Sequence, residues 1–129
     1  LLPGQLNGML KGFIDLVFEH DGRFYVLDYK SNWLGASDEA YRGEIMQAAV
    51  LAHRYELQYL FYLLALHRLL KVRLPDYDYD RHVGGALYLF LRGSGTPSRG
   101  VFAARPPRAV IEALDAAFSG QRPLGADKP

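Results

Sequence analysis

Two runs rich in aromatic and branched residues, 10–18 (LKGFIDLVF) and 23–29 (RFYVLDY), are separated by Glu19-His20-Asp21-Gly22. An Asp-Gly pair between two such runs signals a β-hairpin, because both residues tolerate the positive φ that a tight turn between twisted strands requires. No other feature constrains the fold as strongly. In the first run Phe13, Asp15 and Val17 fall on one face, and Ile14, Leu16 and Phe18 on the other. Neither face is plainly polar, so both are expected to be covered, as in the centre of an α/β sheet.

Beyond the hairpin, a polar loop at 31–37 holds the single tryptophan, Trp33, and the spacing then becomes helical. Residues 37–40 (SDEA) read as a helix start, and Ile45, Ala48, Ala49 and Ala52 recur at i, i+3, i+4, i+7. A second helix is expected over 55–72, with Leu57, Leu60, Leu64 and Leu69 along it and Pro75 beyond its end. Residues 53–55 join the two helices. The run 83–91 (VGGALYLFL) reads as a buried strand. A Gly/Ser/Pro loop follows at 93–99, then an amphipathic helix over 107–118 opened by proline, then a polar tail at 121–129. There is no internal repeat. The order β-β-α-α-β-α specifies an α/β fold, a mixed β-sheet flanked by helices.

A chain of 129 residues buries enough surface to fold as one domain without disulfide or metal staples. With no Cys it has no zinc ribbon, cysteine nucleophile or disulfide framework, and it fits a reducing compartment, by default the cytoplasm. The formal net charge of +1 does not announce a nucleic-acid binder, although charge can be arranged locally. The longest apolar stretch, 59–66, is far below the roughly 18 residues of a membrane span, so no membrane association is expected. Residues 1–10 show no signal-peptide pattern and no initiator Met, which reads as an excised piece of a longer chain.

Chemistry enters with Asp15, placed by this reading inside an apolar strand, and with Asp28 followed by Lys30 at the end of the next. Buried carboxylates are costly unless paired or bound to a metal. On adjacent antiparallel strands Asp15 and Asp28 can lie side by side, and Lys30 shares the face of Asp28. Two carboxylates and an amine then converge, a set suited to a hard cation such as Mg²⁺ with a lysine beside it to position or deprotonate water. An acid two residues before a Lys is expected by chance about 0.4 times in such a composition, so the strand context carries the signal. An internal ion pair between Asp15 and Lys30 is the purely structural alternative.

Asp15 with Asp28-Tyr29-Lys30 on a hairpin resembles the PD-(D/E)xK nuclease pattern. The strings KGFIDL (11–16), LDYKSNWLG (27–35), YELQY (55–59), LALHR (64–68), DYDY (76–79) and GALYLFLRG (85–93) are similar to the C-terminal nuclease domain of the RecB family, the β subunit of the bacterial helicase-nuclease exodeoxyribonuclease V. The likeness covers roughly residues 8–118. It implies a restriction-endonuclease-like fold and Mg²⁺-dependent (or Mn²⁺-dependent) cleavage of DNA in double-strand-break repair and recombination. It also implies RecC- and RecD-like partner subunits, an ATP-dependent helicase part of the same parent chain, and a bacterial cytoplasmic setting. Carried over, Asp15, Asp28 and the backbone carbonyl of Tyr29 are metal ligands, and Lys30 is the catalytic lysine. Gln58 and Tyr62 match the family's QxxxY motif, and their i, i+4 spacing puts both on one face of the second helix. Residues 1–120 then form the C-terminal part of a RecB-type nuclease domain, with 121–129 a flexible tail.

The resemblance also implies a further His ligand from a helical segment well upstream of Asp15, which this sequence does not contain, so an incomplete metal site is expected. His20, His53, His67 and His82 sit at a turn, a helix junction, a helix and a strand entrance, where structural roles are the expectation. Asp76, Asp78 and Asp80 imitate the start of an EF-hand, but Arg81 and Leu87 stand where Gly and Glu are required. Gly93-Ser94-Gly95 lacks the Lys and helix start of a phosphate loop. Glu44 could face a metal or solvent. Two classes of function compete: a nuclease, and a nuclease-like docking or DNA-handling module that has lost cleavage, to which a piece inactive for want of the upstream ligand is equivalent in assay.

Overall fold

The computed structural model describes residues 14–119. Strands β1 (Leu16–His20) and β2 (Arg23–Lys30) form the expected antiparallel hairpin, with His20 opposite Arg23 and Leu16 opposite Leu27. The turn is the pair Asp21 and Gly22 alone, at φ 52° and 80°, so Glu19 and His20 belong to the strand rather than to the turn. Two consecutive positive φ values match the right-handed twist of the strands. The expected strand over 10–18 is accordingly displaced toward its C-terminus. Asp15 lies just ahead of β1 and is exposed, not in the middle of an apolar strand, and residues 10–13 fall outside the described range.

After a 3₁₀ turn (Asp38–Tyr41) come helices α1 (Gly43–Ala52) and α2 (Tyr55–Arg73), broken at Arg54, whose φ is 60°. A single turn, α3 (Tyr79–His82), leads into β3 (Val83–Phe90). A second 3₁₀ turn (Leu91–Gly93), strand β4 (Val101–Ala104) and helix α4 (Arg108–Phe118) complete the order. β4 was not expected from the sequence. The sheet runs β1-β2-β3-β4, with β2 and β3 parallel and the outer pairs antiparallel. The α/β expectation of a mixed sheet flanked by helices holds, with one strand and one helical turn added. A register shift between Phe24 and Tyr25 skips Gly84, and Gly85 next to it takes φ 128°, where a Cβ would sit 2.6 Å from the Ala104 carbonyl oxygen.

Strand alternation sends Val26, Asp28 and Lys30 of β2, with Ala86, Tyr88 and Phe90 of β3, to the face that receives the helices. One cluster joins Val26, Val83 and Ala86 to Leu63, Leu64, Leu66 and Leu70 of α2 and Ile111 of α4. A second joins Tyr88 and Phe90 to Tyr41, Met46 and Val50. Because α2 is wedged between sheet and helices, every residue from Tyr62 to His67 is buried. A helix apolar all round belongs in such a place, and each of its fully buried leucines is worth about 1.5–3 kcal/mol.

Two expectations need correction. The buried side of α1 is Met46 and Val50, whereas Ile45, Ala48 and Ala52 are exposed. Met46 and Val50 are themselves spaced i, i+4, and it is their side of the helix that packs on Tyr41, Tyr88 and Phe90, so the stripe read from Ile45 points outward. The hairpin is also not covered on both faces by the described residues. Leu16, Leu27, Leu87, Leu89 and Val101 lie on the other side of the sheet, and none belongs to either core cluster.

Candidate functional site

The site is built where β2 ends against the first half of α2. Period-two alternation puts Asp28 and Lys30 on the helix-facing side, and Lys30 Nζ lies 3.0 Å from Asp28 Oδ2, both side chains 11% exposed. The ion pair seen is therefore Asp28–Lys30 rather than Asp15–Lys30. Lys30 Nζ also donates to Gln58 Oε1 at 2.8 Å. It stands 3.9 Å from the centroid of the Tyr55 ring and 4.8 Å from that of Tyr88, within cation–π range of both. Tyr88, directly opposite Asp28 in the β2–β3 register, donates its hydroxyl to Gln58 Oε1 at 2.8 Å and lies 2.9 Å from the Tyr55 carbonyl. The ammonium is thus fixed on four sides by a carboxylate, an amide oxygen and two aromatic rings.

Asp15 reaches the same place from the start of β1. Its Oδ2 accepts the Tyr29 N–H at 2.8 Å, and its carboxyl faces that of Asp28 closely enough for a hydrogen bond between them once one is protonated. Burial, followed by the Asp15 hydrogen bond, raises the Asp28 pKa to about 6, despite the pull of Lys30. Asp15 is held below the usual carboxylate range, first by the Asp28 hydrogen bond and then by the Tyr29 amide. Below pH about 6 Asp28 takes up a proton that it can donate to the Asp15 carboxylate. Tyr62, one turn beyond Gln58, is buried, and its hydroxyl is pushed up by burial and then by the charges of Asp28 and Asp15. Gln58 and Tyr62 therefore both look toward the Asp15–Asp28–Lys30 cluster.

Sequence reasoning missed Tyr55 and Tyr88. Tyr55 had a signal, since 55, 58 and 62 lie along one helical face. Tyr88 had none, because its place opposite Asp28 exists only once β2 and β3 are paired. The other candidates lie elsewhere. Glu44 is exposed and bound to Arg42 at 3.1 Å. His20 pairs with Asp21, His53 with Asn32, His67 with Tyr77, and His82 with the Asp78 backbone. Among the described residues no group of three or more His, Cys, Asp or Glu could hold a metal.

The donor set for a cation is consequently small and all oxygen: two neighbouring carboxylates, plus the main chain at Tyr29. Because the Tyr29 N–H faces Asp15, its carbonyl lies toward the same strand edge. Two carboxylates suffice for Mg²⁺, which retains several waters, and a cation would compete with the proton that Asp28 takes up below pH about 6.

The family model for the PD-(D/E)XK nuclease superfamily matches residues 4–124. The chain belongs to that superfamily. It is 56% identical over 118 residues to the RecBCD enzyme subunit RecB of Escherichia coli (strain K12), covering 90% of this chain and 10% of that protein. To the same subunit of Haemophilus influenzae it is 50% identical over 115 residues, 88% of this chain and 10% of the relative. To that of Mycobacterium tuberculosis (strain ATCC 25618 / H37Rv) it is 44% identical over 119 residues, 84% and 11% respectively. The chain thus spans about a tenth of the length of these relatives. The expected likeness to the RecB nuclease domain stands, and with it a PD-(D/E)XK nuclease fold. No helix among the described residues is long and apolar enough to cross a membrane.

Proposed function

We propose that this chain is the nuclease module of a RecBCD-type helicase-nuclease and hydrolyses DNA phosphodiester bonds with Mg²⁺. The observation that carries the reading is the convergence of Asp15, Asp28 and Lys30, braced by Gln58, at the end of β2. Asp15, Asp28 and the Tyr29 carbonyl would hold the cation, which when bound supplies Lewis-acid polarisation of a phosphoryl oxygen. Lys30 Nζ brings a fixed positive charge to the phosphate and orients the attacking water. Because Asp28, Gln58, Tyr55 and Tyr88 already hold it, little reorganisation is needed at the moment of reaction. Tyr62, buried one turn beyond Gln58, steadies the Lys30 region or the substrate strand. In the reaction the water oxygen bonds to phosphorus, the ester P–O bond breaks, and the leaving oxygen takes up a proton.

The relatives' name places RecB in a RecBCD enzyme. By extension the module works with RecC- and RecD-like subunits and an ATP-driven helicase portion, in exodeoxyribonuclease V-type processing of DNA breaks in the bacterial cytoplasm. The weak net charge suits a module to which DNA is delivered. To test the reading, the matching 118-residue segment of the E. coli subunit is replaced by this sequence, and Mg²⁺-dependent DNA degradation is measured in the assembled enzyme. Degradation that is lost with Asp28→Ala and with Lys30→Ala is expected. Degradation that proceeds undiminished in either variant would refute the assignment.

A further inference from the structure

We propose that Trp33, on a loop to which Arg92 is hydrogen-bonded, is a stacking platform for a base of single-stranded DNA entering the site; this rests on the nuclease reading and assigns a positioning residue for its substrate. The loop carrying Trp33 leaves β2 immediately after Lys30, at the carboxyl ends of the parallel pair β2 and β3, where Lys30 lies opposite Phe90. Ligands of open α/β sheets approach this end of the strands. Three residues of chain reach at most about 11 Å between Cα atoms, a span of a few nucleotides, so Trp33 and Lys30 can meet the same strand.

The loop around Trp33 is tied down while the ring is not buried. Arg92 Nε donates to the Ser31 carbonyl at 2.9 Å. Asn32 lies between His53 Nε2 and the Tyr55 hydroxyl, each at 3.3 Å. The Leu34 N–H donates to the Tyr41 hydroxyl at 3.1 Å, and the Leu34 side chain packs on the cluster of Tyr41, Met46, Val50, Tyr88 and Phe90. Between these anchored neighbours the indole is 64% exposed. A large aromatic side chain on a fixed backbone loses little entropy when a base settles on it.

The chemistry of that surface selects its occupant. An indole face accepts any base, and the exposed Arg92 guanidinium suits the neighbouring phosphates. In a duplex the bases are already stacked on one another and present no face to the indole. With a net charge of only +1, the chain has little general attraction for phosphate, so a local stacking contact is the more effective grip on a single strand.

The single tryptophan of the chain makes the test direct. Intrinsic fluorescence is followed in excess EDTA while oligothymidylate is added, then a duplex of the same strand with oligodeoxyadenylate. Saturable quenching by the single strand and little by the duplex is expected. In parallel, binding of a dye-labelled oligothymidylate is expected to weaken roughly five- to hundredfold for Trp33→Ala and to be largely retained by Trp33→Phe, with unchanged circular dichroism in both. Absent quenching, equal quenching by duplex, or full affinity in Trp33→Ala would overturn the proposal, the last leaving a protein partner as the occupant. Quenching in EDTA requires no cleavage. Stacking without Mg²⁺-dependent cleavage therefore defeats only the nuclease reading, and cleavage without stacking defeats only this one.

Discussion

Helix α2 carries a polar cluster at each end, and the two are built on opposite electrostatic plans. Toward its C-terminus, Asp115 of α4 accepts from Arg68 Nε at 2.5 Å and from Lys71 Nζ at 3.1 Å, with His67 Nε2 3.7 Å away. Although burial opposes it, these cations hold the Asp115 carboxyl below its ordinary range. Toward the N-terminus, Asp28 is buried with one cation and one carboxylate for neighbours, and burial first and the carboxylate second raise its pKa to about 6. The first cluster is satisfied by the protein and fastens α4 to α2. The second keeps more negative charge than its single lysine balances, which is the arrangement of a site that awaits a cation from solution.

The largest effect expected from this contrast is on catalysis. Asp28→Ala should lower Mg²⁺-dependent cleavage at least about hundredfold in a steady-state assay, whereas Asp115→Ala should leave the rate per folded molecule unchanged. In urea unfolding the order reverses: Asp115→Ala should cost about 2–3 kcal/mol, because Arg68 and Lys71 lose a partly buried partner.

The next effect is on pH dependence, where the two aspartates have opposite signs. The Asp28 pKa is raised, so between pH about 4 and about 6 the folded state binds more protons than the unfolded state, and stability falls as pH rises through that window. The span corresponds to about 3 kcal/mol at most. Asp28→Asn should therefore be more stable than the parent protein at pH 7 and lose that slope in metal-free unfolding curves. The Asp115 pKa is lowered, so its contribution is present above the unfolded pKa and is lost on acidification; Asp115→Asn should flatten the acid limb.

A smaller effect separates the ring of Tyr88 from its hydroxyl. Tyr88→Phe keeps the aromatic wall beside Lys30 and removes the hydrogen bond to Gln58. A several-fold loss of kcat with KM unchanged is expected, against a loss of about tenfold or more for Gln58→Leu, which also takes the acceptor from Lys30.

How much of this was legible depended on the range of the interactions. The hairpin was readable because Asp21-Gly22 and the flanking strands are local, and Asp28 with Lys30 because alternation along one strand is local. Gln58 and Tyr62 were readable from helical spacing. Tyr88 was not, since its partner Asp28 is 60 positions away and meets it only through a parallel pairing. β4 escaped because four residues, two of them Ala, carry little strand signal after a Gly/Ser/Pro loop. The face of α1 was misread because Met46 and Val50 also share a face at i, i+4, and which face meets the sheet is settled only by packing on Tyr88 and Phe90.

The most direct measurement is a crystal structure of the protein grown with Mn²⁺, with data collected for the metal's anomalous signal. An anomalous peak ligated by one oxygen each of Asp15 and Asp28 and by the Tyr29 carbonyl, lost in Asp28→Asn, is what the convergence of the two carboxylates predicts. A peak at the Asp115 cluster instead, or an intact Asp15–Asp28 hydrogen bond at saturating Mn²⁺, would contradict it.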